Sequence, residues 1–89
     1  MKIKIELFGA AKDFSDERYL EIELTKKINI KELKEKLIKL LKDRYPENMN
    51  YSKIVETSAF CNENDQIVQE NYLISEDQKL CIIPPVGGG

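Results

Sequence analysis

The fold turns on one stretch: Asn29-Ile30-Lys31-Glu32-Leu33-Lys34-Glu35-Lys36-Leu37-Ile38-Lys39-Leu40-Leu41-Lys42-Asp43-Arg44. Ile30, Leu33, Leu37, Leu40 and Leu41 recur at helical spacing and form one apolar stripe, with Ile38 at its edge. Asn29 can cap this helix, and Glu32, three residues on, falls at the capping-box position. Glu32 with Lys36, and Glu35 with Lys39, are favourable pairs four residues apart on the wet face. Each is worth only about 0.2–0.5 kcal/mol, so the stripe decides the fold and the charges decide solubility. Pro46 disfavours helical backbone at Tyr45, which stops the helix near Arg44.

The segments flanking the helix read as strands. Residues 2–8 alternate strictly, with Ile3, Ile5 and Leu7 on one face and Lys4, Glu6 and Phe8 on the other. A period of two is that of a half-buried strand, and it places Phe8 on the polar face. Gly9-Ala10-Ala11 ends this strand, and residues 12–18, polar apart from Phe14, read as a loop or short helical turn. Leu20, Ile22 and Leu24 point inward from a second alternating run, which pairs with the first as an antiparallel hairpin. After the helix, residues 46–55 read as a connecting loop anchored by Tyr51 and Ile54. Strands follow at about residues 56–61, 66–69 and 79–83. Turn-forming residues separate them, Asn62-Glu63-Asn64-Asp65 and Ser75-Glu76-Asp77-Gln78.

The order is therefore β-β-α-β-β-β. One helix stripe and one set of inward strand residues must bury each other. This is an α+β, β-grasp (ubiquitin-like) arrangement, a mixed sheet packed on one main helix over residues 1–83. The lone helix covers one face of the sheet and leaves the other to solvent or a partner.

Composition bounds the chemistry. The 89 residues make one domain, 42% hydrophobic and 34% charged, too apolar for disorder. Fourteen Lys and Arg against 16 Asp and Glu give a formal charge of −2, and so no electrostatic case for nucleic acid or anionic lipid. Histidine is absent, which removes Ser-His-Asp and Cys-His catalysis and the ordinary zinc sites. Cys61 and Cys81 each sit in an apolar run and read as small buried hydrophobes. The acidic run at 62–65 lacks the spacing and the glycine of a calcium loop, so no metal site is expected. The N-terminus has no continuous apolar stretch of the kind found in a signal peptide or membrane span, so the default compartment is the cytoplasm.

The remaining candidate for chemistry is the C-terminal stretch, Leu80-Cys81-Ile82-Ile83-Pro84-Pro85-Val86-Gly87-Gly88-Gly89. An apolar strand runs into two prolines that cannot extend a ladder, and glycines follow. The six residues 84–89 are expected to form a flexible tail held off the body by Pro84-Pro85. Glycine has no side chain, so Gly87, Gly88 and Gly89 can lie in a narrow channel where a partner reaches the carboxylate of Gly89. That carboxylate is unreactive until activated, most simply as an acyl-adenylate made from ATP by another enzyme.

Ile82-Ile83-Pro84-Pro85-Val86-Gly87-Gly88-Gly89 resembles the C-terminus of the MoaD/ThiS sulfur-carrier family, in particular that of the small subunit of molybdopterin synthase. The family pattern is an apolar pair, Pro-Pro, a small segment and a final Gly-Gly. The opening run Ile3-Lys4-Ile5-Glu6-Leu7-Phe8-Gly9 resembles that subunit's first strand, and Ala59-Phe60-Cys61-Asn62-Glu63 its Ala-Val-Asn-Gln strand and turn. The chain departs from the pattern at Ser75-Glu76-Asp77-Gln78, where the family commonly carries glycine, and at Gly87, where it often has Ser, Thr or Ala.

The resemblance implies that an E1-like (MoeB-like) enzyme adenylates Gly89 with ATP and that a sulfur donor system converts it to a thiocarboxylate. The tail, Pro84, Pro85, Val86 and Gly87 leading to Gly88 and Gly89, would insert into a MoaE-like large subunit of a heterotetramer. Its sulfur would pass there to cyclic pyranopterin monophosphate in molybdenum cofactor biosynthesis. Catalytic residues would lie in the large subunit and no cofactor would be bound by the small one. Alternatives with the same tail are a carrier for thiamine or tRNA thiolation and a ubiquitin-like protein modifier; a further alternative is a β-grasp interaction module whose tail does nothing. If Leu80 and Ile82 face the helix, then Phe8, Cys81 and Ile83 form an uncovered apolar patch beside the tail root, extended by Ile67 and Val68.

Overall fold

A computed structural model of the protein describes residues 1–85. The chain runs through β1 (Lys2–Leu7), a 3-10 helix (Gly9–Phe14), β2 (Tyr19–Glu23), β3 (Ile28–Asn29), α1 (Ile30–Arg44), α2 (Asn50–Thr57), β4 (Ala59–Cys61), β5 (Ile67–Val68), β6 (Leu73–Ile74) and β7 (Gln78–Ile83). Five strands form one sheet in the order β2-β1-β7-β4-β5. β1 and β7 pair in parallel at its centre, and every other neighbouring pair is antiparallel. The two-residue strands β3 and β6 pair beside it as a separate ribbon.

Ile3, Ile5, Leu7, Leu20, Ile22, Phe60, Leu80 and Ile82 project from one face of the sheet into the core. The α1 stripe meets them through Ile30, Leu33, Leu37 and Leu41, all buried, while Leu40 and Ile38 sit half-buried at its margins. A capping box starts α1. The Asn29 side chain accepts from the Glu32 amide at 2.8 Å, and the Glu32 carboxylate accepts from the Asn29 amide at 3.1 Å.

That cap draws Glu32 back to the helix start. Neither Glu32–Lys36 nor Glu35–Lys39 forms an ion pair, and among the described residues the only one is Glu6–Lys79. The expected pairs yield to water and the cap because each is worth so little.

Residues 46–55 are not a plain loop, and the helix is not alone. From Asn50 the chain forms α2, whose Val55 is fully buried. Tyr51 packs its ring 5.0 Å from that of Phe14 and 5.5 Å, edge-on, from that of Tyr45. Phe14, the one large apolar residue of a polar segment, is thus the buried anchor that ties the 3-10 helix to α2. A further element, which the sequence reading did not assign, is β6, which pairs Leu73 and Ile74 with Asn29 and Ile28.

Candidate functional site

β7 is flanked on both sides, by β1 and β4, so its C-terminal end is held at the centre of the sheet. Beyond Ile83, Pro84 is buried and Pro85 is exposed. Pro84 packs beside Gly9, where a Cβ would lie 3.8 Å from the proline Cδ. Gly9 has a φ of +54°, the left-handed region in which glycine is favoured. Pro84 is therefore packed against the body. Val86, Gly87, Gly88 and Gly89 lie outside the described residues.

The root of the tail borders a groove of about 500 Å³ lined by Ala10, Asn50, Lys53, Ile54, Thr57, Pro84 and Pro85. Four of these seven residues come from α2, so the groove was hidden from a reading that made 46–55 a loop. The available signal was the spacing of Tyr51, Ile54 and Val55 at i, i+3 and i+4, one short apolar stripe of a helical turn.

On the sheet face away from α1, the register places Glu6 of β1 opposite Cys81 of β7, Cys81 opposite Cys61 of β4, and Cys61 opposite Ile67 of β5. Two residues along each strand, on the same face, Ile83 pairs with Ala59. Phe8 continues β1 with extended backbone (φ −128°, ψ 156°), so it follows Glu6 on this same outer face. Phe8, Ile83 and Ile67 are 39%, 40% and 68% exposed.

Two expected members of this patch are placed differently. Cys81 is buried, although it lies on the outer face. It is a short side chain at the centre of the sheet, with Glu6 and Cys61 on the neighbouring strands and Lys79 and Ile83 two residues away on its own. Val68 pairs with Phe60 and faces the core side, where it packs half-buried. The uncovered apolar residues are thus Phe8, Ile83 and Ile67.

The surroundings of Cys81 disfavour its thiolate. Burial pushes its thiol above the usual cysteine range, and the Glu6 carboxylate, 3.9 Å from Sγ, adds to the effect. Glu6 also binds the Lys79 ammonium at 2.9 Å and raises its pKa, chiefly through that hydrogen bond. Cys61 and Cys81 are both free thiols.

Among the described residues, no group of three or more His, Cys, Asp or Glu side chains is placed to hold a metal ion, and no helix is long and apolar enough to cross a membrane. The arrangement instead suits delivery: a rigid central strand, a packed proline at its exit, and exposed apolar side chains beside it.

The parallel central pair, the covering helix and the antiparallel flanking strands define a ubiquitin-like β-grasp protein. Comparison with protein-family profiles matches residues 5–89 to the ThiS family, and the chain belongs to that family. The ThiS/MoaD proteins are sulfur carriers, and membership gives this chain a sulfur-carrier role. No curated protein sequence matches it. Solved structures similar to it include SAMP1 from Haloferax volcanii, 12% identical with a TM-score of 0.67 over 100% of both chains. A candidate molybdopterin converting factor, subunit 1, from Pyrococcus furiosus is 18% identical with a TM-score of 0.66, over 96% of this chain and 98% of that one. The third is the complex of subunits 1 and 2 of molybdopterin-converting factor from Helicobacter pylori, 19% identical with a TM-score of 0.53 over 100% of both chains. At these identities the likeness is one of fold.

Proposed function

We propose that the chain is the small, sulfur-carrying subunit of a molybdopterin synthase. One observation carries this reading. The central strand β7 leads through the packed Pro84 directly into Pro85-Val86-Gly87-Gly88-Gly89, with Phe8 and Ile83 exposed at the point of exit. Likeness in fold to structures described as molybdopterin converting factor subunit 1 supports the choice of product.

The chemistry takes place at Gly89 and is supplied by partners. On an E1-like enzyme the Gly89 carboxylate attacks the α-phosphorus of ATP; pyrophosphate leaves and an acyl-adenylate forms. A sulfide equivalent from a donor system adds to the acyl carbon and AMP departs, leaving a thiocarboxylate. In the large subunit this sulfur passes to cyclic pyranopterin monophosphate. Phe8, Ile83 and Ile67 bury apolar area against that subunit, and the glycines enter its channel. Catalytic groups belong to the large subunit, and this chain binds no cofactor of its own.

Intact mass spectrometry of the chain co-expressed with an E1-like activating enzyme tests the reading. A single oxygen-to-sulfur exchange localised to Gly89 is the expected result. Lysine-linked conjugates without any thiocarboxylate would contradict it and favour a protein modifier.

A further inference from the structure

The sheet has one long open edge, and its backbone geometry identifies which residues face outward. The Leu7 amide donates to the Arg18 carbonyl and the Leu24 amide to the Met1 carbonyl. The strand register pairs Ile3 with Ile22 and Ile5 with Leu20. In an antiparallel pair, hydrogen-bonded rungs alternate with rungs that are not bonded. Leu20, Ile22 and Leu24 therefore spend their backbone groups on β1. Tyr19, Glu21 and Glu23 direct theirs away from it, along an edge that no other strand among the described residues covers. The opposite edge, β5, is only two residues long.

Beside the open edge runs a groove of about 430 Å³ between β2 and α1, lined by Glu21, Ile22, Glu23, Lys36, Lys39, Leu40, Asp43 and Arg44. Its floor is apolar, from Ile22 and the half-buried Leu40. Its helix side carries Lys36, Lys39 and Arg44 against the single carboxylate of Asp43, and none of these forms an ion pair among the described residues. On the outer face of the same strand, Glu21 and Glu23 are likewise unpaired, and Lys4 lies 4.2 Å over the Tyr19 ring.

We infer that this edge takes an extended peptide segment of a partner protein as a sixth strand. Side chains alternate across a strand. The peptide's groove-facing positions are therefore apolar and acidic, meeting Leu40 and the cations of α1. Its other positions are basic and meet Glu21 and Glu23. A second copy of this chain does not fit, because antiparallel β2–β2 pairing about Glu21 would set like charges opposite each other on one face. The edge lies two strands from β7, so the segment can bind while the tail is engaged elsewhere, and the inference stands independently of the tail's chemistry.

The probe is an acetylated, amidated peptide of about seven residues, a strand's length, alternating Lys with Val, Ile and Glu. Titrated into the whole chain, it is expected to shift the backbone amide resonances of Tyr19, Glu21 and Glu23 and to slow their hydrogen exchange. Glu21→Pro removes an outward donor that β1 does not use and should abolish these shifts. Lys36→Glu with Lys39→Glu, on the solvent side of α1, should weaken binding by about tenfold or more without unfolding the protein. Three results would each overturn the inference: no saturable shift, shifts confined to β5 or the Phe8–Ile83 face, or binding unaffected by the charge reversal. Sedimentation showing a dimer lost on Glu21→Pro would also overturn it, by making a second copy the occupant.

Discussion

Gly9 and Pro84 meet where the first strand ends and the last one leaves the sheet. A Cβ on Gly9 would stand 3.8 Å from Pro84 Cδ, an ordinary contact, while the Gly9 φ of +54° is one that other residues adopt at a cost. This junction packs Pro84 against the end of β1.

Gly9→Ala should therefore destabilise through backbone strain rather than collision, by about 1–2 kcal/mol. Denaturant unfolding measures it. A neutral effect would show that the turn relaxes at no cost.

The core prediction concerns α1. Leu37 is 1% exposed and sits mid-stripe, so Leu37→Ala should cost about 2–5 kcal/mol. Asn29→Ala removes one half of the capping box and should cost about 1 kcal/mol. Both are read as shifts of the urea midpoint with an unchanged slope.

Phe8 and Ile83 are 39% and 40% exposed. Phe8→Asp or Ile83→Asp should leave stability within about 0.5 kcal/mol of the parent, the usual range for surface changes. Binding of a large synthase subunit, followed by calorimetry, should weaken by about tenfold or more, equivalent to ~1.4 kcal/mol. Lost stability with unchanged binding in the folded fraction would make these residues core.

The thiol of Cys81 is held protonated by burial and by Glu6, so its pKa lies above the ordinary cysteine value. At pH 8 the thiolate fraction falls below that of an unfolded cysteine, and iodoacetamide should modify Cys81 more slowly than the same residue in an unfolded peptide. The rate should rise as pH climbs toward the raised pKa. Glu6→Gln should speed the reaction by removing the neighbouring negative charge. Equal rates in folded and unfolded chains would contradict the burial.

Long periodic segments were legible in the sequence because one physical signal dominated each. Ile3-Ile5-Leu7 and Leu20-Ile22-Leu24 fixed β1, β2 and their inward faces, and Ile30, Leu33, Leu37 and Leu41 fixed α1. The features that escaped depend on tertiary contact. Helix α2 is eight residues long, below the length at which an isolated helix holds in water. It is secured by Tyr51 against Phe14. Strands β3 and β6 have two residues each, too few to show a period.

The outer patch was partly legible for the same reason. Alternation correctly put Phe8, Cys81 and Ile83 on one face, but exposure depends on neighbours in other strands. Cys81 lies between Glu6 and Cys61 and is covered, whereas Ile67, on an edge strand, is not. Val68 was assigned to the wrong face because the register of β5 could not be read from so short a run.

The central claim is that this chain carries sulfur on Gly89 for pterin chemistry done by a partner. Reconstitution tests it most directly: thiocarboxylated chain, a large synthase subunit and cyclic pyranopterin monophosphate, with molybdopterin measured as product. The account predicts molybdopterin from the intact chain and none from a chain lacking Gly89. No product from the thiocarboxylated chain, or equal product after deletion of Gly89, would contradict it.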